Sequence, residues 1–134
     1  MPELARFARR FRFLRLLRAS LVAGALYDLA FAALMVAAPG WLAGAFGLPL
    51  PPFFYLWLIA VLLAVLAVAY LLAARDPRRY SGNLKLAIGG RLAGAAVLGL
   101  AAARDPALAG LWAPAAIDAA FGLAHLGLWW PLRT

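Results

Sequence analysis

The chain has no cysteine, one histidine (His125) and only five carboxylates against thirteen basic side chains. Without cysteine there is no disulfide, no thiolate metal site and no thiol nucleophile. A single histidine cannot hold a haem from both sides or close a zinc shell, so neither a metal nor a cofactor is expected. Aliphatic hydroxyls are nearly as scarce: Ser20, Ser81 and Thr134 all fall at the edges of apolar runs or at the chain end. That leaves no serine and histidine pair inside a core for acyl transfer. No phosphate-cradling glycine loop occurs either, because Gly89 and Gly90 lie within an apolar helical run rather than after a strand.

Apolar side chains fill the space these absences leave. Hydrophobic residues make up 67% of the chain, charged residues 13%, and the mean hydropathy is +0.90, whereas a soluble domain is roughly half apolar. The solvent that fits this composition is a bilayer. A net charge of +8 in a soluble protein would suggest nucleic acid. Here the charges flank apolar runs in the pattern that orients membrane proteins, so the expected partner is the lipid bilayer and nucleic acid is rejected.

Four runs are long enough to cross: 19–38, 53–74, 86–103 and 115–130, reaching roughly 24–33 Å as helices at about 1.5 Å per residue. Pro39 and Gly40 stop the first. The uncharged stretch 40–52 with Trp41 and Phe46 predicts an interfacial loop or a short helix. Arg75, Arg78, Arg79 and Lys85 face one acid in the loop 75–85, which places that loop and the N-terminus in the cytoplasm. The pentapeptide AARDP closes a run twice, at 73–77 and 102–106. Its period of one helix and its loop is too short for a transporter half, so it reads as a shared stop signal. Pro114 suits the first turn of the last helix.

The fold expected is therefore an all-α integral membrane four-helix bundle over residues 19–134, in the bacterial cytoplasmic membrane, with both termini cytoplasmic. A basic segment, 1–18, precedes it. Arg6, Arg9, Arg10, Arg12, Arg15 and Arg18 alternate there with apolar residues, of which Leu4, Phe7, Phe11 and Leu14 share a helical face. Two readings stand: an interfacial helix whose arginines reach anionic lipid headgroups, or a plain positive-inside anchor. A cleavable signal peptide fits less well, given Asp28 in the middle of the apolar region.

The third run, KLAIGGRLAGAAVLGLAAAR, combines small residues with one full charge, Arg91. Gly90, Gly94 and Gly99 allow close helix packing. A guanidinium about five residues inside an apolar run should face the bundle interior and meet a partner there. Counted from the cytoplasmic ends, Arg91 and His125 lie ~8 Å deep, Asp28 ~13 Å and Asp118 ~18 Å, and an arginine side chain bridges several ångströms along the axis, so Arg91 and Asp28 can meet. Asp118, Gly122 and His125 share one helix face, and Tyr27 and Tyr70 can add hydroxyls. This cluster reads as a structural ion pair, as the polar end of a pocket for a lipid-like or quinone-like molecule, or as a proton path. Two intramembrane carboxylates also bring aspartyl proteases to mind, but no Gly-x-Gly precedes Asp118.

The order Tyr27-Asp28, FGLP at 46–49, AARDPRRY at 73–80, GGRLAG at 89–94 and Asp118 resembles a group of small bacterial four-helix membrane proteins, DoxX-like, over about residues 19–131. The resemblance implies a basic group paired with a carboxylate in the bundle and carries no catalytic role. In that group Lys often stands at the position of Arg91, and an Asn precedes the carboxylate where Ile117 stands here. Short spans, small loops and abundant glycine and alanine suggest a non-catalytic subunit or accessory of a larger membrane assembly, with other membrane proteins or itself as partner. The alternative is a binder or transporter of a small hydrophobic molecule.

Overall fold

The computed structural model describes residues 2–133; Met1 and the hydroxyl of Thr134 lie outside them. Among the described residues there are helices and no strands: α1 (Pro2–Ala37), α2 (Pro39–Ala45), α3 (Phe53–Arg75), α4 (Ser81–Arg104) and α5 (Trp112–Trp129), with 3-10 turns at Pro106–Leu111 and Trp130–Leu132. Four stretches, Arg6–Ala37, Phe53–Arg75, Ser81–Arg104 and Pro106–Leu132, are long and apolar enough to cross a membrane. Between 17% and 28% of the most apolar part of each is buried within the chain. The remaining apolar surface, including Trp57, Val61, Val65 and Val68 on α3, suits hydrocarbon rather than water. By length and composition this is a multi-pass membrane protein.

The helix ends follow from local chemistry. The residue before a proline is driven out of the helical region, and Asp76 and Asp105, each ahead of a proline, have extended backbones that end α3 and α4. Each aspartate then holds the turn that follows. Asp76 Oδ1 accepts from the backbone N–H of Arg78 and of Arg79, both at 3.1 Å, and Asp105 Oδ1 accepts from that of Ala107 at 2.9 Å. The two AARDP copies thus both close a helix at Arg and open a turn at Asp.

The 1–18 segment is not set off from the first span. From Pro2 onward it belongs to α1 without a break, so α1 is 36 residues long, roughly 54 Å at about 1.5 Å per residue. That exceeds the hydrocarbon thickness of about 30 Å, and the excess carries the exposed arginines Arg6 to Arg18. Arg18 Nη2 donates to the Arg75 carbonyl at 3.2 Å, tying α1 to the end of α3.

α1 packs most extensively on α3, and α4 on α5, with α1 also against α5 and α3 against α4. The tight core lies toward the end carrying both termini, where Leu17 and Leu21 of α1 meet Ala67, Tyr70 and Ala73 of α3 and Leu84 and Ala87 of α4. Toward the opposite end, α2 folds back against α1. Gly47, at φ +62°, is the left-handed residue that ends α2: its N–H donates to Gly44 O and the Leu48 N–H to Ala43 O, a pairing that glycine at this position permits without a Cβ clash.

Candidate functional site

Arg91 is 3% exposed and Asp28 wholly buried, at the level where the tight core stops. Arg91 Nη1 donates to Asp118 Oδ1 at 2.5 Å, and Nη2 donates to the Gly24 carbonyl at 3.0 Å. Nη2 also stands 2.7 Å from Asp28 Oδ1. This last contact is a buried ion pair, and Asp28 Oδ2 has no hydrogen-bond partner. Three rings close around the guanidinium, with Phe121, Tyr70 and Tyr27 centroids at 5.1, 5.2 and 5.3 Å from its central carbon. In a low-dielectric interior such faces favour a cation.

Two glycines, Gly94 and Gly122, let the helices close up around this arrangement. A Cβ on Gly24 would stand 3.5 Å from Arg91 Nη2 and 3.6 Å from His125 Cε1, in ordinary van der Waals contact with both side chains. On α5, a Cβ at Gly122 would press on Leu92 and on the Cβ of Arg91. Gly94 lies against Asp118, Gly99 against Trp112, and Gly90 has only Leu66 near it.

His125 is fully buried and takes no part in the ion pairs. Its ring is 5.8 Å from Phe121 and 6.3 Å from Tyr70. The Ser20 backbone stands nearby, yet neither ring nitrogen reaches hydrogen-bond geometry.

Above the charge layer, toward the end opposite the termini, lies a cavity of about 380 Å³. Tyr27, Asp28, Arg91 and Asp118 border it, and the rest of its wall is apolar: Phe31, Met35, Leu42 and Phe46 on one side, Leu56, Leu63 and Leu98 on another. Tyr70 and His125 are absent from that wall and sit beneath it, toward the core. Ile59 and Leu50 also line the cavity and are 41% and 51% exposed, so its mouth is at the apolar surface of the bundle. Leu108 and Leu111 of the Pro106–Leu111 turn close the far side. That turn rests on the residue that ends α2, because a Cβ on Gly110 would overlap the Phe46 carbonyl.

Chemically, one guanidinium faces two carboxyl groups, and one of their oxygens, Asp28 Oδ2, has no hydrogen-bond partner in the cavity wall. A buried acceptor in this state is costly unless something donates to it. Gly24 and Phe121 were not singled out from sequence. Gly24 lies one helical turn before Asp28 and Phe121 three residues after Asp118, so helical spacing from the two carboxylates was the available signal. Compared with protein-family models, curated proteins and solved structures, the chain matches none.

Proposed function

We propose that this is a non-catalytic protein of the bacterial cytoplasmic membrane, both termini inside, that binds a small lipid-like or quinone-like molecule in the cavity above Arg91. The observation that carries the reading is the 380 Å³ space, within the roughly 300–1,000 Å³ range of ligand pockets, with apolar walls and a floor holding Asp28 Oδ2, a carboxyl oxygen without a hydrogen-bond partner. Arg91 already spends Nη1 on Asp118 and Nη2 on Gly24. Asp28 Oδ2 still lacks a donor, so a ligand head that donates is favoured, while Arg91 Nε, also without a partner, can receive one that accepts as well. A hydroxyl meets this need: a long-chain alcohol or the reduced, quinol form of a quinone, with the apolar body along Phe31, Leu63 and Leu98. A carboxylic acid would add a third carboxyl group beside a single guanidinium.

The orientation rests on the eleven basic residues placed at or beyond the end that carries both termini. The test is extraction of the purified protein with organic solvent and mass spectrometry of what is released, followed by thermal unfolding with a long-chain alcohol, a quinol, the matching quinone and a fatty acid. We expect a released hydroxyl lipid, and stabilisation by alcohol and quinol but not by the acid. A co-purifying polypeptide with no released lipid, and no ligand that stabilises, would favour the accessory-subunit reading instead.

A further inference from the structure

Two shallow hollows lie along α1 toward the end carrying the termini, and they share Ala19. The one nearer the N-terminus, about 480 Å³, is bordered by Ala8, Arg12 and Arg15. The other, about 570 Å³, follows the seam between α1 and α3, with Ala19, Ala23 and Leu26 on one side, Leu71 and Ala74 on the other, and Arg18 and Arg75 at its end. Arg18 directly precedes the apolar run 19–38 and Arg75 directly follows 53–74. Both therefore stand where hydrocarbon gives way to headgroups, and Arg15 lies about 4.5 Å further out along α1. Arg18 Nη2 is spent on the Arg75 carbonyl. The Arg15 and Arg75 side chains have no ion pair or hydrogen bond among the described residues. Asp76 feels the charge of Arg18, but its Oδ1 accepts from the N–H groups of Arg78 and Arg79, and no carboxylate borders either hollow among the described residues.

We infer that the seam between α1 and α3 binds one phospholipid with an acidic head, its phosphate among Arg15, Arg18 and Arg75 and one acyl chain along Ala19, Ala23 and Leu71. Cations from two helices converge at the depth of a phosphate, and arginine is well suited to that anion. Directly below them the small side chains at 19, 23 and 74 leave a trough for a chain. Elsewhere on α3 no charge stands between Phe53 and Ala74, so a chain lying on Val61 or Val65 has no head contact within that span. A soluble anion would use the arginines and leave the trough unused. A zwitterionic head would bring its own cation among three arginines with no carboxylate in the walls to take it, and like charges disfavour that partner. Bound in this way, the lipid joins α1 to the end of α3 beside the hydrogen bond from Arg18 to the Arg75 carbonyl.

The full chain is placed in nanodiscs with phosphatidylglycerol that carries a diazirine in one acyl chain, and the residues labelled on photolysis are mapped. Label on Ala19, Ala23, Leu26 or Leu71 should saturate, whereas label on Val61 and Val97, which are 61% and 67% exposed, should rise in proportion to the probe. Unlabelled phosphatidylethanolamine of the same chains should compete for the seam about threefold less well than phosphatidylglycerol. Arg75→Gln should weaken the saturable binding about fivefold, equivalent to about 1 kcal/mol per cation near a membrane surface, and Arg15→Gln together with Arg75→Gln about twenty-fivefold. A control pair, Arg78→Gln with Lys85→Gln, loses the same charge outside both hollows and should stay within about twofold of the parent. Equal losses in both pairs would mark a diffuse attraction and overturn the proposal. So would seam label that rises like that on Val61 and Val97, equal competition by the two lipids, or loss of seam label to pyrophosphate as complete as to phosphatidylglycerol. Size-exclusion profiles of each variant separate lost binding from lost folding, and Arg75→Gln alone carries the test if the pair does not fold.

Discussion

Gly94 of α4 faces Asp118 of α5 so closely that a Cβ on the glycine would stand 2.7 Å from Asp118 Oδ2. The carboxylate that receives the shortest hydrogen bond from Arg91 is thus seated on a glycine, and the spacing of α4 and α5 at this level is set by the ion pair as much as by apolar packing.

Gly94→Ala should therefore destabilise the protein although alanine favours helix. The carboxylate must turn away, and the loss should be about 1.5–3 kcal/mol, the range for a hydrogen bond to a charged group. Gly89→Ala, on the same helix with nothing within 4 Å, should stabilise by about 0.5–1 kcal/mol. Thermal unfolding of both variants in one detergent checks the opposite signs; equal shifts would show that the Asp118 contact is not tight.

Arg91→Met should be the most damaging single change among the buried charges. It leaves the two carboxylates Asp28 and Asp118 facing each other in the bundle without their cation, a loss of about 3–5 kcal/mol. Combining it with Asp28→Asn and Asp118→Asn removes the unpaired charges and should recover most of that loss. Expression level and unfolding temperature rank the three proteins. A triple variant no better than Arg91→Met would mean that the cluster contributes through shape rather than charge.

The turn after α3 should loosen in acid. The N–H of Arg79, and after it that of Arg78, holds the Asp76 carboxyl below its usual range. A group with a depressed folded value contributes stability above its unfolded pKa, about 3.9, and loses it as pH falls below that value. Exchange protection of the Arg78 and Arg79 amides should drop below about pH 4 in the parent and be independent of pH in Asp76→Asn. Unchanged protection in acid would remove the turn from pH control.

Much of the fold can be read from the residues because the physics is one-dimensional. A run such as 53–74 is apolar over the bilayer thickness, and Pro39, Pro77 and Pro106 punctuate the chain. The outward continuation of α1 is harder to see, since arginines spread round the wheel and blur the Leu4, Phe7, Phe11, Leu14 face. Arg91, Asp28 and Asp118 stand out because charge within an apolar run is rare. The cavity has no such signature: its roof is α2 and the Pro106–Leu111 turn, short uncharged elements whose meeting depends on Gly110 lying against Phe46. Phe121 is marked in sequence only by its helical spacing from Asp118; the three-dimensional arrangement is what puts its ring on the guanidinium.

A long-chain alcohol with a diazirine midway along its chain reads the cavity from inside. Photolysis with the purified protein, followed by peptide mapping, should place label on Leu63, Leu98 or Leu48, and excess unmodified alcohol should abolish it, as should Asp28→Leu. Label confined to outward residues such as Val61, Val65 and Val68, undiminished by competitor, would contradict a hydroxyl-headed ligand seated above Arg91.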